Sequence, residues 1–424
     1  LLVDPAFAFD AGRFGPIDAG QYDRRHWGFQ RDDAGRIKTD PTLADPHCVF
    51  QLLKRHYARY TPEMVARVSG TPVETFGQVA RAFCATCRPD RSGTILYAMG
   101  TTQHSVGTQN IRAYAVLQLL LGNVGVAGGG INALRGESNV QGSTDHGLLF
   151  DLLPGYLKSP RAQDASLDAY LKANTPAATD PQSANWWSNA PKYMVSLLKA
   201  YWGEHATKEN DFAYGWLPKR DGDASYLAMF EAMHAGRLQG LFILGQNPAV
   251  SSPDAGRARE ALEKLDWLVL ADLWETETAT FWKRPGTKPE DVKTEVFLLP
   301  VAAAMEKEGS VTNSGRWAQW RYAASKPPGD ARSDLWLLDR LSKELKRLYA
   351  AGGVLPDPIV KLDWDYGSGE EPSPHAVARE INGRFLADCD VPELKRTFKR
   401  GEPVPMFTFL RDDGTTACGN WLYS

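Results

Sequence analysis

The chain lacks an excess of positive charge. Its 424 residues include 48 lysines and arginines against 51 aspartates and glutamates, which gives a formal net charge of −3. Proteins that bind nucleic acid usually carry a basic field that attracts phosphates, and this composition provides none. We therefore expect no nucleic-acid partner.

Long apolar runs are also missing. No stretch approaches the roughly 20 apolar residues that a membrane-spanning helix needs. The first residues, LLVDPAFAFDAGRFG, contain neither the basic region nor the cleavage site of a secretion signal. With 43% hydrophobic and 23% charged residues, the composition is that of a soluble globular protein. The length predicts two or three domains.

Cysteine is scarce and scattered. Of the five cysteines, only Cys84 and Cys87 form a C-x-x-C pair, within ETFGQVARAFCATCRPD. Apolar residues of this segment recur at helical spacing. A zinc or iron–sulfur site would need a second pair of ligands nearby, and the sequence offers none. We interpret both cysteines as ordinary helix residues and expect any iron–sulfur cluster to lie outside this chain.

Glycine, in contrast, is concentrated in one place. Residues 122–142, GNVGVAGGGINALRGESNVQG, contain seven glycines around Arg135. Glycine inside a helix or strand costs about 0.5–1 kcal/mol per residue, so we predict no regular element here. The stretch is either a slack surface loop or a backbone that approaches another molecule closely.

Apolar periodicity elsewhere predicts helices alternating with buried strands. The strands are GTILYAMG, LQGLFIL, WLVLAD and EVFLLP, and amphipathic helices surround them. This order is typical of an α/β layer built on a parallel sheet. Residues 151–235, rich in Pro, Asn, Trp and Tyr, interrupt the pattern, and we interpret them as an insertion that carries one helix, YMVSLLKAYWG.

Small or polar residues follow three of these strands. The segments are AMGTTQHS at 98–105, LGQNPAVSS at 244–252 and LADLWETET at 270–278. Parallel α/β sheets bind ligands at the carboxyl ends of their strands, where backbone N–H groups suit phosphates. Polar residues end most strands, so each segment alone is also compatible with a simple turn. Together they favour a large, nucleotide-like ligand.

The central block, GTTQHSVGTQNIRAYAVLQLLLGNVGVAGGGINALRGESNVQGSTDHGLL, resembles the molybdopterin oxidoreductase family, above all the large subunits of respiratory formate dehydrogenases. LPGYL, NSGRWAQW and LRDDGTTACGNW follow in the family's order, so the resemblance covers nearly the whole chain. It implies Rossmann-like parallel-sheet α/β lobes of that fold, in incomplete form. It also implies two molybdopterin guanine dinucleotides around molybdenum or tungsten, and oxidation of formate to carbon dioxide.

Several parts of the family's subunit have no counterpart in this sequence: the twin-arginine signal, the cysteines of a 4Fe-4S cluster and the metal-ligating selenocysteine or cysteine. We therefore expect an incomplete subunit that is colourless and inactive by itself, with sheet edges and apolar faces exposed. The expected parts are a lobe at 1–136, a lobe at 137–345 and a linker at 346–424 leading to an absent C-terminal domain. The resemblance further implies a periplasmic location, an iron–sulfur partner subunit, a membrane cytochrome subunit and the remainder of the large subunit.

The resemblance places Arg135 at the active site. In the intact subunit the glycines would wind between the two cofactors, and Arg135 would bind formate with its planar, permanently charged fork. Glu137 stands where relatives carry glutamine or histidine. It points away, is protonated, or pairs with Arg135, and the sequence leaves all three open. The resemblance makes Glu137 and His104 candidate catalytic residues beside Arg135, and it places His146 near the site by motif.

The resemblance also implies a set of cofactor-binding residues and no metal ligand. The set is Gly100, Gln103, Gly136, Gly245, Gln246, Asn247, Asp272, Thr276 and Asp334. For Asp334 a helix N-cap is an equally good interpretation. Two other functions stay open: a nitrate- or arsenate-type reductase of the same family, and a non-catalytic cofactor-binding fragment.

Overall fold

A computed structural model describes residues 1–7, 26–177 and 184–424. Its contacts divide the chain into a first unit, Leu1–Leu134, and a second unit, Arg135–Ser424. Among the described residues, no helix is both long enough and apolar enough to cross a membrane.

The first unit pairs two parallel strands and carries five helices. Its strands are β1 (Thr94–Tyr97) and β2 (Gly130–Ala133), and its helices are α1 (Val49–Tyr57), α2 (Pro62–Ser69), α3 (Val73–Cys84), α4 (Met99–Thr102) and α5 (Gly107–Leu120). Thr61 caps helix α2, since its hydroxyl accepts a hydrogen bond from the main-chain N of Met64 at 3.2 Å. Cys84 ends α3, and Cys87 lies beyond the helix; both cysteines are exposed.

Strand β2 and the first turn of a later helix, Val140–Asp145, lie inside the glycine-rich stretch, so the prediction of no regular element was wrong for Gly130–Ala133 and for residues 140–142. Pairing with all four residues of β1 offsets the conformational cost of the glycine. Close approach does occur just before the strand. A Cβ added at Gly129 would lie 2.1 Å from the carbonyl oxygen of Asn123, a distance that no side chain tolerates.

The second unit contains the remaining nine helices and eleven strands of the described residues. Its helices are α6 (Val140–Asp145), α7 (Leu167–Asn174), α8 (Ala190–Trp202), α9 (Tyr226–His234), α10 (Pro248–Ser251), α11 (Ala255–Leu262), α12 (Asp334–Tyr349), α13 (Pro356–Val360) and α14 (Pro374–Asn382). Its strands are β3 (Leu152–Leu153), β4 (Leu157–Lys158), β5 (Gly240–Leu244), β6 (Trp267–Asp272), β7 (Glu295–Pro300), β8 (Gly309–Thr312), β9 (Ala318–Arg321), β10 (Arg384–Phe385), β11 (Cys389–Val391), β12 (Arg396–Phe398) and β13 (Thr416–Ala417).

Strands β5, β6 and β7 form the predicted parallel sheet, in that order. One face packs against α9, α10 and α11, where Leu268 and Leu270 of the central strand are fully buried. On the opposite face, Phe242, Leu244 and Phe297 are 45%, 43% and 44% exposed. Within the described residues, the helical layer therefore covers one side of the sheet.

The described part of residues 151–235 contains three α-helices, α7, α8 and α9, rather than the single helix predicted. Helix α8 is buried nearly all round, and its Tyr193 stacks on Trp421 with ring centroids 4.2 Å apart. Phe385, Phe398 and Leu410 complete this core. Residues 384–424 are thus part of a packed core, which corrects the expected linker for this segment. The other expected boundaries stay predictions.

Candidate active site

Arg135 is hydrogen-bonded through its main-chain N and its Nε, but not through its terminal nitrogens, within the described residues. Its main-chain N donates a hydrogen bond to Oγ of Ser314 at 2.9 Å, and its side-chain Nε donates to Oε1 of Gln141 at 3.1 Å. Within the described residues, the two terminal nitrogens of the guanidinium have no hydrogen-bond or ion-pair partner. Arg135 is exposed, as are Gly136 and Glu137. The side chain is therefore anchored, and its charged fork is available to an anion.

A buried carboxylate lies behind this arginine. Asp145, at the end of α6, is fully buried and accepts hydrogen bonds from three side chains. The donors are Nε2 of Gln141 at 2.8 Å, Nε of Arg316 at 3.1 Å and the hydroxyl of Tyr423 at 2.9 Å. Gln141 and Asp145 are neighbours because residues four apart share one face of a helix. A buried charge needs such partners to offset its loss of hydration.

The turn between β8 and β9 supplies the contact of Ser314 with Arg135 and the contact of Arg316 with Asp145. Oδ1 of Asn313 accepts hydrogen bonds from the main-chain N atoms of Gly315 and Trp317, which shapes the turn. Arg316 takes a left-handed backbone conformation there, with φ of +58°. Burial alone would lower the pKa of Arg316, but its hydrogen bond to Asp145 and the charge of that carboxylate raise it overall. The turn thus contacts both Asp145 and the main chain of Arg135.

Residues 420–423 also contact Asp145 and the adjacent His146. The Nδ2 atom of Asn420 donates to the main-chain oxygen of Asp145 at 2.8 Å and lies 3.0 Å from Nδ1 of His146. The ring of His146 stacks on Tyr423 with centroids 5.2 Å apart. Burial lowers the pKa of His146, which favours a neutral ring that accepts from the Asn420 amide. Burial raises the pKa of Tyr423 to about 12, so its hydroxyl stays a donor.

Glu137 makes no side-chain hydrogen bond or ion pair within the described residues. Of the three arrangements that the sequence left open, its pairing with Arg135 is therefore not the one found here. The carboxylate is exposed to solvent. Its proposed catalytic role stays a prediction.

Three predicted residues lie in the first unit, after β1. Gly100 is part of α4, and Gln103 and His104 follow it. All three are exposed, and the side chain of His104 has no hydrogen-bond partner among the described residues. Gly107, at the start of α5, allows a close approach, because an added Cβ would lie 2.6 Å from the carbonyl oxygen of Thr102. The turn after β1 is thus tight. The side chain of His104 is available there, whereas Nε2 of Gln103 donates a hydrogen bond to Sδ of Met99 at 3.5 Å.

In the second unit, Asn247 ties the turn after β5 to the turn after β6. Its Oδ1 accepts from the main-chain N and the hydroxyl of Thr278 at 3.1 and 2.7 Å. Its Nδ2 donates to Oε2 of Glu277 at 2.7 Å. The sheet therefore brings together the predicted residues of these two turns at one edge, and Asn247 is engaged within the protein.

Other polar groups at this edge have few or no hydrogen-bond partners among the described residues. Oγ1 of Thr276 is buried without a hydrogen bond among the described residues, and the side chain of Gln246 makes none either. Gly245 has φ of +62° and open space where a Cβ would stand. Among the residues that the structure describes, Oδ1 of Asp272 accepts a hydrogen bond only from the main-chain N of the adjacent Leu273, at 2.7 Å. Leu273 and Trp274 are exposed beside it. Polar atoms without partners beside apolar surface are suited to a large, flat ligand with polar edges.

Asp334 is the first residue of α12. The helix N-cap is Ser333, whose Oγ accepts from the main-chain N of Trp336 at 3.0 Å, so the N-cap interpretation was wrong by one residue. The carboxylate of Asp334 forms an ion pair with Lys307. Its role in binding guanine stays a prediction.

Comparison with known proteins assigns the sequence to a family. The family described as "Molybdopterin oxidoreductase" matches residues 54–344, which is more than half of the chain. The chain belongs to the molybdopterin oxidoreductase family. The parallel-sheet α/β fold predicted from the resemblance is confirmed for this molybdopterin oxidoreductase.

Several relatives match over the whole chain, among them the following three. It is 48% identical over 431 residues to "Formate dehydrogenase subunit alpha" of Megalodesulfovibrio gigas, covering 100% of the chain and 42% of that protein. It is 50% identical over 429 residues to "Formate dehydrogenase 2 subunit alpha (cytochrome c-553)" of Nitratidesulfovibrio vulgaris, with coverage of 100% and 42%. It is 45% identical over 431 residues to "Formate dehydrogenase, nitrate-inducible, major subunit" of Escherichia coli, again with 100% and 42%. The chain thus spans about two fifths of the length of these relatives.

The residues that surround Arg135 were missed in the sequence. Gln141 and Asp145 belong to the quoted block NVQGSTDH, and Ser314 and Arg316 belong to NSGRWAQW. Both segments were noted for their resemblance to this molybdopterin oxidoreductase family, but no single residue in them stood out. Single polar or charged residues in a short helix or a turn give no sequence signal of their own. Their role becomes visible only when the fold brings them together.

Proposed function

We propose that the chain is part of the catalytic subunit of a formate dehydrogenase, which oxidises formate to carbon dioxide. The observation that carries this proposal is the state of Arg135, which is anchored through its main-chain N and its Nε while its terminal nitrogens are unpaired among the described residues. The full-chain identities to proteins named formate dehydrogenase support it.

In this proposal Arg135 binds the carboxylate of formate. Two parallel hydrogen bonds from one guanidinium match the two oxygens of a carboxylate, and arginine keeps its charge at any physiological pH. The arginine fixes the orientation of the substrate and stabilises negative charge, which are positioning and electrostatic contributions. His146, whose pKa is lowered by burial, contacts Asn420 and Tyr423 rather than Arg135.

The edge of the β5–β6–β7 sheet fits a nucleotide of the cofactor. The unpaired Oγ1 of Thr276, the side chain of Gln246 and the open backbone at Gly245 would hold it, and the carboxylate of Asp272 would accept hydrogen bonds from the amino edge of guanine. The cofactor is proposed as bis-molybdopterin guanine dinucleotide with molybdenum or tungsten. When bound, it supplies the two-electron redox chemistry.

The proposal includes partners and a location. The partners are the remainder of the large subunit with its 4Fe-4S cluster, an iron–sulfur electron-transfer subunit and a membrane cytochrome subunit, and the location is the periplasm. Support comes from the resemblance of the sequence and from the words "subunit alpha" in the names of two relatives.

The test is a substrate comparison on the complete subunit with its cofactors. We expect dye reduction with formate and no dye oxidation with nitrate or arsenate. Metal and pterin content are measured on the same preparation. Nitrate or arsenate reduction without formate oxidation would replace the proposal by the other reductase. Full cofactor content with none of these activities would favour a non-catalytic cofactor-binding protein.

A further inference from the structure

Two neutral side chains hold Arg135, and neither has a role so far. Gln141 accepts the hydrogen bond of its Nε at 3.1 Å, and Ser314 accepts that of its main-chain N at 2.9 Å. We propose that Gln141 and Ser314 are positioning residues that restrict Arg135 to one mode of carboxylate binding, end-on through its two terminal nitrogens. This inference rests on the proposed function, in which Arg135 binds formate.

The geometry of the guanidinium supplies the first step. A carboxylate can bind this group side-on, through Nε and one terminal nitrogen, or end-on, through both terminal nitrogens. The oxygen of Gln141 occupies the single hydrogen of Nε. Side-on binding would therefore have to break that bond, whereas end-on binding leaves it intact.

Asp145 determines which end of the Gln141 amide faces Arg135. Its carboxylate can only accept hydrogen bonds, and it accepts one from Nε2 of Gln141 at 2.8 Å. A flipped amide would place Oε1 against the carboxylate and Nε2 against the Nε donor of Arg135. Both contacts would be repulsive, and Gln141 is nearly fully buried, so water does not relieve them. The oxygen of Gln141 is thus fixed toward Arg135.

Ser314 acts on the backbone of the same residue. Its hydroxyl belongs to the β8–β9 turn, which is anchored through the ion pair of Arg316 with Asp145. The two side chains that contact Arg135 are therefore both held in place by the buried carboxylate of Asp145. A displacement of about 1 Å in a substrate-positioning side chain is enough to slow a reaction substantially, so this anchoring bears on turnover.

A double-mutant cycle on the complete enzyme tests the inference. Gln141→Met removes the hydrogen bonds to Arg135 and Asp145, and a longer one to Tyr156, at nearly constant volume. Ser314→Ala removes the hydroxyl at an exposed turn. Each is made in the parent and in an Arg135→Ala background. Matched controls are Gln319→Met and Ser310→Ala on β9 and β8, because these two exposed side chains make no hydrogen bond within the described residues. Metal and pterin content are measured for every variant.

We expect Gln141→Met to lower kcat/KM for formate about tenfold and Ser314→Ala about threefold, with both losses below about twofold once Arg135 is alanine. Ser314→Thr keeps the acceptor and should restore nearly parental kcat/KM. The controls should stay within about twofold of the parent. If Gln141→Met loses its cofactors, the Ser314 variants still decide, since their site is exposed.

Equal losses in the parent and Arg135→Ala backgrounds would overturn the inference, because the two side chains would then act independently of Arg135. Parental kcat/KM in both Gln141→Met and Ser314→Ala would also overturn it, provided that Arg135→Ala is impaired. If Arg135→Ala itself retains parental kcat/KM, the proposed function of Arg135 fails, and this inference fails with it.

Discussion

The carboxylate of Asp145 and the guanidinium of Arg316 form an ion pair, with Nε and Oδ2 3.1 Å apart, across 171 residues of sequence. Asp145 is fully buried, whereas the side chain of Arg316 is 48% exposed. The buried partner therefore depends on its donors, and the exposed partner can return to water. The pair connects α6, which holds Gln141, to the β8–β9 turn, which holds Ser314.

Replacing Asp145 tests this connection. Asp145→Ala removes the carboxylate that three side-chain donors share, and we expect the free energy of unfolding to fall by about 3–5 kcal/mol. Asp145→Asn keeps one acceptor and should cost less. Denaturant unfolding measures both, with Asp330→Ala as an exposed control that should change stability by under about 0.5 kcal/mol. An Ala variant no less stable than this control would show that the pair does not hold the two elements together.

The hydroxyl of Tyr423 provides a finer test of the same cluster. It donates to Oδ2 of Asp145 at 2.9 Å and lies 3.1 Å from Oγ1 of Thr312. Tyr423→Phe keeps the ring that stacks on His146 and should cost about 1–2 kcal/mol of unfolding free energy. Tyr322→Phe, at a residue 73% exposed, is the matched control and should be neutral. Equal unfolding midpoints for the two variants would contradict the prediction.

The sheet could be predicted from the sequence because its signals are local. Each strand is an apolar run bounded by turn residues, and β1, β5, β6 and β7 all lie where such runs were found. Strand β2 was missed since glycine and asparagine disfavour strands, and its pairing with β1 and a hydrogen bond from Gln118 to the main-chain oxygen of Gly130 stabilise it.

The cluster around Asp145 could not be predicted in the same way. Its members come from α6, from the β8–β9 turn and from residues 420–423, so they meet only after folding. Single-sequence patterns describe neighbours within a helix turn or a strand, and they carry no information about contacts across 278 residues. The motif resemblance located Arg135, but the residues that hold it became visible only in the structure.

Thr276 and Thr278 make a contrasting pair at the sheet edge. Oγ1 of Thr276 has no partner among the described residues, whereas Oγ1 of Thr278 accepts from the main-chain N of Ala249 at 3.0 Å and donates to Asn247 at 2.7 Å. Thr276→Val should therefore leave the unfolding free energy of the cofactor-free protein unchanged or slightly higher. In the complete subunit it should lower the amount of retained guanine nucleotide severalfold. Thr278→Val should cost about 1–3 kcal/mol of unfolding free energy.

Nucleotide released on denaturation and unfolding midpoints measure these two effects in the complete subunit and in cofactor-free protein. A Thr276→Val subunit with parental nucleotide content would show that this hydroxyl does not contact the cofactor.

Glu380 on α14 should make stability depend on pH. Tyr366 donates to its Oε2 at 3.0 Å, and burial raises the pKa of this carboxyl from 4.5 to about 7. Between these values the folded protein holds a proton that the unfolded chain has lost, so the free energy of unfolding falls as pH rises through this window. Above pH 7 the contribution is fully lost.

Glu380→Gln removes this titration. Relative to the parent, the variant should be more stable at pH 8 than at pH 5, by a difference on the order of 1 kcal/mol after allowance for partial solvent screening. Unfolding midpoints at the two pH values measure it. The same difference between variant and parent at both pH values would contradict the raised pKa.

The most direct measurement is kcat/KM for formate in Arg135 variants of the complete subunit, with metal and pterin content determined on each preparation. Arg135→Ala loses both charge and fork, and at about 1.4 kcal/mol per factor of ten, a charge-assisted hydrogen bond of about 1.5–3 kcal/mol predicts a loss of at least ten- to a hundredfold. Arg135→Lys keeps the charge but loses the fork and should fall between Ala and the parent. An Arg135→Ala subunit that retains its metal, both pterins and near-parental turnover would contradict the assignment of Arg135 as the residue that binds formate.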